Sequence, residues 1–206
     1  SLSPEASLWL GLSIALTPAF AESVASLVGR GALLAALFGL FGIAWIRERP
    51  RWAILCLSLA LLSKETAIIY AISAGLWALH GRMWGQCASL SALAILWYAL
   101  RSSVVGHLGG DIPSIDNPLV AMSIDERILA GLGVVGRYVT WALGGQPVPA
   151  DLAAGVKHGG LYALLGGITL LTLVIALREA WRRGHVLVVT LSLALVSLFL
   201  LSNIAF

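Results

Sequence analysis

Charged residues are scarce in this sequence. Of its 206 residues only 11% are charged, against 59% hydrophobic, and the mean hydropathy is +0.94. Soluble domains carry roughly 25% charged residues, so a water-soluble fold of this length lacks the polar side chains to cover its surface. The formal charge of +3 is small and is not gathered into one stripe. That argues against a nucleic-acid partner and for charge used as membrane topology. The two cysteines, Cys56 and Cys87, sit in separate apolar stretches, which excludes a disulfide framework and a zinc-type spacing. His80, His107, His158 and His185 are scattered, and no pair has the spacing of metal ligands. Period-two alternation is absent, so strands are not expected. Also missing are a nucleophile elbow, a Walker loop, a dinucleotide fingerprint and an internal repeat. No basic stretch precedes the first apolar run, so Ser1 does not open a signal peptide. The sequence is already apolar from Leu8 and stops soon after Ser202-Asn203, from which we expect a piece of a longer polytopic protein.

What is present is a series of Leu- and Ala-rich blocks. A hydrocarbon core of ~30 Å takes about 20 apolar helical residues, and only helices or closed barrels cross lipid with their backbone groups satisfied. The expected fold is all-α: a polytopic transmembrane helical bundle, with spans near 6–17, 24–46, 52–63, 66–80, 84–100, 160–178 and 185–206 and an outer loop at 101–158. Arg47, Arg49 and Arg51, then His80 and Arg82, then Arg178, Arg182, Arg183 and His185 mark three connections as cytoplasmic. The stretch from Ser102 to Lys157 sets Asp111, Asp116, Asp125, Glu126 and Asp151 against Arg127, Arg137 and Lys157. It is net negative and belongs outside. Most tryptophans fall near the block ends, as in an aromatic belt. This sidedness requires Trp52 to Leu79 to go out and come back, reversing at Lys64-Glu65. It also requires Ile128 to Leu143 not to cross, making that block a horizontal or re-entrant helix in a structured outer loop. The rival is a simple crossing that breaks the charge rule. Glycine occurs 22 times, often within apolar blocks, which suits close helix packing in lipid.

Polar residues inside such blocks are the functional candidates. Glu22 and Arg30 lie two turns apart on roughly one helix face. Glu22 either stabilises a helix N-terminus while Arg30 snorkels, or the two face a cavity for an anionic ligand, since a charge in lipid costs at least ~2.5 kcal/mol. Lys64-Glu65 interrupts an apolar stretch. It is either a turn in the headgroup zone or a phosphate contact, with Lys64 as a compact cation near a helix N-terminus. In the loop, Asp116-Asn117-Pro118 reads as a turn or a helix start, and Ser123 to Glu126 as a capping box.

These stretches together resemble one family. Thr17-Pro18-Ala19-Phe20-Ala21-Glu22-Ser23-Val24 and Val28-Gly29-Arg30-Gly31-Ala32-Leu33-Leu34-Ala35 are similar to two successive motifs of the transmembrane O-mannosyltransferases with tetratricopeptide tails. Those enzymes belong to the GT-C class of polyprenyl-phosphate-sugar-dependent glycosyltransferases. Lys64-Glu65, Asn117-Pro118, Arg127, Tyr138, Pro147 and Ser202-Asn203 follow in the family's order. Thr17, Phe20 and Ala32 stand where the family has two histidines and an aspartate. The family's first outer loop would precede Ser1 and its repeats would follow Phe206.

The resemblance implies transfer of a sugar, mannose or a similar hexose, from a polyprenyl-phosphate donor to an acceptor hydroxyl at the outer or lumenal face. It assigns Lys64, Arg30, Arg127 and Arg137 to the lipid phosphate, and Glu65 and Asn117 to supporting positions. Glu22 becomes a candidate catalytic carboxylate, the main base being expected outside this chain. Implied partners are membrane lipid, the donor, and an acceptor protein or glycan. No covalent cofactor is implied, and a divalent metal is left open. The location would be a bacterial inner membrane or the membrane of the endoplasmic reticulum. The alternative is a transporter or flippase for an anionic lipid or solute, which would also place Arg and Lys at an intramembrane cavity.

Overall fold

The computed structural model describes residues 27–105, 122–143, 160–184 and 187–201, with the single positions 5 and 8. Every regular element among them is helical: α1 (Leu27–Trp45), α2 (Pro50–Ser63), a 3-10 turn (Glu65–Ala67), α3 (Ile68–His80), α4 (Trp84–Val105), α5 (Ile124–Ala142), α6 (Gly160–Arg182) and α7 (Leu187–Leu201). Two of them, Trp84–Val104 and Gly160–Arg182, are long and apolar enough to cross a membrane, and only 6% of each is buried. The helices follow the apolar blocks, with boundaries moved where charge had suggested an end. Thus α4 continues past Arg101 to Val105, and α6 past Arg178 to Arg182.

The chain divides into two compact units. One comprises Ser1–Ala78 with Met83–Ala94, the other Leu79–Arg82 with Ile95–Phe206.

In the first unit, α1 and α2 form a close antiparallel pair. Gly31 lies beside the Ser63 carbonyl at one end, and Gly42 packs against Leu57 and the Ala53 carbonyl toward the other. A side chain at Gly42 would meet Leu57 Cγ at 2.5 Å, so the absent Cβ sets the spacing. The buried row is largely alanine (Ala35, Ala53, Ala60, Ala67, Ala71, Ala74, Ala78), with Ile43, Ile46 and Leu57 filling the gaps. Small residues let helices approach where the solvent offers no hydrophobic drive. Pro50 opens α2 at the position where its missing N–H costs nothing. Arg49 before it adopts φ −135°, ψ 63°, outside the helical region, as a residue preceding proline does. α3 runs parallel to α1, because the Tyr70 ring lies on Gly39 and Trp77 lies under Arg47. With α2 antiparallel and α3 parallel to α1, the chain reverses at Lys64 to Ala67.

α3 ends in a Schellman motif: Met83 N–H donates to Ala78 O at 2.9 Å and Arg82 N–H to Leu79 O at 3.0 Å. Arg82 takes the left-handed position at φ 54°, which glycine usually fills.

In the second unit, α5 and α6 run antiparallel in backbone contact. A Cβ on Gly136 would strike the Tyr162 carbonyl, and one on Gly166 the Leu132 carbonyl. A helix lying across α6 at right angles would meet it at one point, whereas α5 runs beside its first half. α5 starts at Ser123, where Glu126 Oε2 accepts from the Ser123 N–H at 3.0 Å and from its hydroxyl at 2.7 Å. Asp125 in that first turn is held below the ordinary carboxylate range, first by the Ser123 hydroxyl, whose one proton it shares with Glu126, and then by its own backbone N–H. Its folded pKa is the depressed one, so its contribution is complete above the unfolded value of 3.8 and is lost as pH falls through the lower folded value. Protection factors of the amides in the first turn of α5 should therefore fall below about pH 4. Ser123→Ala should lower them at neutral pH too, by the severalfold that the ~1 kcal/mol of a lost cap implies.

Candidate functional site

Lys64 ends α2 with an extended backbone, φ −160°, ψ 139°, while its N–H still donates to Ala60 O at 3.1 Å. Its carbonyl accepts from Ala67 N–H at 3.0 Å, which closes the 3-10 turn. The residue thus serves two helices, and its half-buried side chain leaves the chain where they meet. Arg30 lies in the first turns of α1, exposed. Its neighbour Gly31 would place a Cβ 3.1 Å from the Ser63 carbonyl. The 3-10 turn also packs on α1. Arg30 and Lys64 are therefore at the same end of the unit, on adjacent strands of chain.

Helix ends also meet here. α2 ends and α3 begins across Lys64 to Ala67, and helix termini carry partial charges of roughly half an elementary charge, positive at the N-terminus and negative at the C-terminus. Among the described residues neither Arg30 nor Lys64 is ion-paired with a carboxylate. Glu65, exposed at the start of the 3-10 turn, supplies one negative group and is itself engaged in an interaction. Among the described residues, two cations, Arg30 and Lys64, stand against one carboxylate, Glu65, at this end, a balance that suits an anion.

The other candidates fall outside the first unit's described residues. Glu22 and Asn117 lie outside the described residues. Arg127 and Arg137 are both on α5, in the second unit, at levels about 15 Å apart along its axis. Arg127 sits in the first turn, where its N–H donates to Ser123 O at 2.8 Å. Arg137 is half-buried beside the glycine crossing, with its guanidinium 5.6 Å from the centre of the Tyr162 ring. Each is engaged in further interactions. No three His, Cys, Asp or Glu side chains come together to hold a metal ion among the described residues.

A contact that the sequence reading did not identify lies at the opposite end of the first unit. The Arg47 guanidinium stacks 3.8 Å above the Trp77 ring, and Phe41 stacks on Trp45 at 5.1 Å. The placement of Trp45, Arg47 and Trp77 near block ends was the available signal, but pairing Arg47 with Trp77 needs the parallel register of α1 and α3.

No family model, curated protein or solved structure matches this chain.

Proposed function

We propose that the chain is part of a multi-pass membrane glycosyltransferase of the GT-C class. It moves a sugar, mannose or a similar hexose, from a polyprenyl-phosphate donor to an acceptor hydroxyl, on the face of the membrane opposite the Arg47–Arg51 turn. The observation that carries this reading is that Arg30 and Lys64 lie at the same end of apolar helices, where α1 packs against the end of α2.

The bilayer is supported by the uncovered apolar surface. Leu161, Leu164, Ile168, Leu171, Val174 and Ile175 of α6 are all exposed. Six such side chains left in water would forgo on the order of 10 kcal/mol, comparable with the whole net stability of a domain. Lipid removes that penalty. Of the two non-crossing forms open to α5, the antiparallel backbone contact with α6 favours the re-entrant one.

In the proposed reaction the acceptor oxygen forms a bond to the anomeric carbon while the bond from that carbon to the phosphate oxygen breaks. The electron pair leaves with the lipid phosphate. The hydroxyl proton goes to a carboxylate base, a role or an orienting part for which Glu22 is the candidate in this chain. Lys64 and Arg30 hold the phosphate and neutralise the charge that grows on it as the bond breaks, which makes them more valuable in the transition state than in the ground state. Lys64→Ala should lower transfer about a hundredfold in an assay with the full-length protein and radiolabelled polyprenyl-phosphate sugars. Absence of transfer with every donor, together with donor movement across vesicles, would replace this reading with lipid transport.

A further inference from the structure

The other end of α2 carries a second arrangement, independent of the donor phosphate. The turn between α1 and α2 presents Arg47, Arg49 and Arg51, all exposed, against a single carboxylate, Glu48. Arg47 is committed to the Trp77 ring. Arg49 and Arg51 flank Pro50 at the N-terminus of α2, where the helix dipole adds to their charge.

From that point an apolar stripe runs down α2. Trp52, Leu55, Leu59 and Leu62 are 58%, 47%, 37% and 76% exposed. Their spacing of three, four and three residues puts them within about 80° of one another on the helix. Arg51, four residues before Leu55, borders the same face. The stripe spans ten positions, about 15 Å, which is the depth of one leaflet of a ~30 Å hydrocarbon core. Two guanidinium groups at the head of a leaflet-long apolar stripe match one molecular shape: an anionic head on an acyl chain.

We propose that this surface is a binding site for an anionic phospholipid of the leaflet facing the Arg47–Arg51 turn. Arg49 and Arg51 take the phosphate in charge-assisted hydrogen bonds, the indole of Trp52 sits at the headgroup level, and one acyl chain lies along Leu55, Leu59 and Leu62. A free phosphate would use the arginines and leave the stripe bare, so the lipid is the better occupant. The site is about 21 Å along α2 from Lys64 and is separate from the donor phosphate. It rests on the membrane reading only in needing a bilayer, and its test measures lipid retention rather than sugar transfer.

The test is native mass spectrometry of the detergent-purified full-length protein, titrated with phosphatidylglycerol and with phosphatidylcholine of the same acyl chains. The wild type is expected to bind phosphatidylglycerol roughly tenfold more tightly or better. Arg49→Ala with Arg51→Ala should erase the difference while helix content by circular dichroism is unchanged, and Arg49→Lys with Arg51→Lys should keep most of it. Leu55→Ser with Leu59→Ser should weaken phosphatidylglycerol binding severalfold. Equal affinity of the wild type for the two lipids overturns the proposal. So does an alanine variant that keeps the preference, or full competition by millimolar glycerol phosphate, which would mean that the acyl chain contributes nothing.

Discussion

Gly166→Leu is expected to force α5 off α6 and to cost roughly 3 kcal/mol or more. A Cβ at this position would run into the Leu132 carbonyl and lie 3.0 Å from the Gly136 nitrogen. Both obstacles are backbone, so no rotamer change relieves the clash and the helices must separate. Separation removes the dispersion contacts and the weak Cα–H···O bonds that close crossings provide, the main attractions available when lipid replaces water. Gly167 is the internal control. It is the next residue on the same helix, and a Cβ there meets nothing within 4 Å. Gly167→Leu should be neutral or slightly stabilising, because leucine is the better helix former by up to ~1 kcal/mol. Thermal unfolding of the two variants in detergent measures both. Equal losses would mean that α5 and α6 are not in backbone contact.

Removing Arg30 and Lys64 one at a time and together is expected to show that they grip one phosphate. Each charge-assisted hydrogen bond is worth about 1.5–3 kcal/mol, so each alanine variant should weaken donor binding roughly tenfold to a hundredfold. The effects should not add. Two groups sharing one ligand couple by about 0.5–3 kcal/mol in a double-mutant cycle, whereas groups serving separate ligands give additive losses. Lys64→Arg should retain part of the affinity, since a guanidinium also binds phosphate but with a planar fork in place of a compact cation. Arg183→Ala should leave donor affinity unchanged. Arg183 lies on an exposed helix end, paired with Glu179 at 2.6 Å, and exposed pairs of this kind contribute little. An equilibrium binding assay with a polyprenyl-phosphate sugar supplies all of these values.

Among the described residues the helices were legible because each apolar block has at least the length of a short helix and is bounded by proline, charge or glycine; the span expected near 6–17 lies outside them. The reversal at Lys64 was legible for a similar reason. A Lys-Glu pair in the middle of an apolar stretch has few low-cost places to be, and a turn is one of them. Once helix directions alternate, the start of α1 and the end of α2 must share an end, so the closeness of Arg30 and Lys64 follows from counting reversals.

What was not legible depends on register. Nothing in the spacing of Gly39 or Gly42 says that one receives the Tyr70 ring and the other Leu57. Gly136 is half of a backbone contact completed thirty residues later by Gly166, a partner that its own neighbourhood does not announce. The Arg47–Trp77 stack required α3 to lie parallel to α1, whereas the sequence set that arginine down as a mark of sidedness. The resemblance placed Arg127 and Arg137 among the phosphate contacts with no information about their separation along α5. Helix geometry sets them about 15 Å apart.

Sidedness is the most direct measure of the central claim. In a Cys56→Ala, Cys87→Ala background, single Arg30→Cys, Lys64→Cys and Arg49→Cys variants would be treated with a membrane-impermeant maleimide on right-side-out vesicles. The account predicts that positions 30 and 64 react from outside and position 49 only after permeabilisation. Reaction of positions 30 and 64 from opposite faces would contradict it.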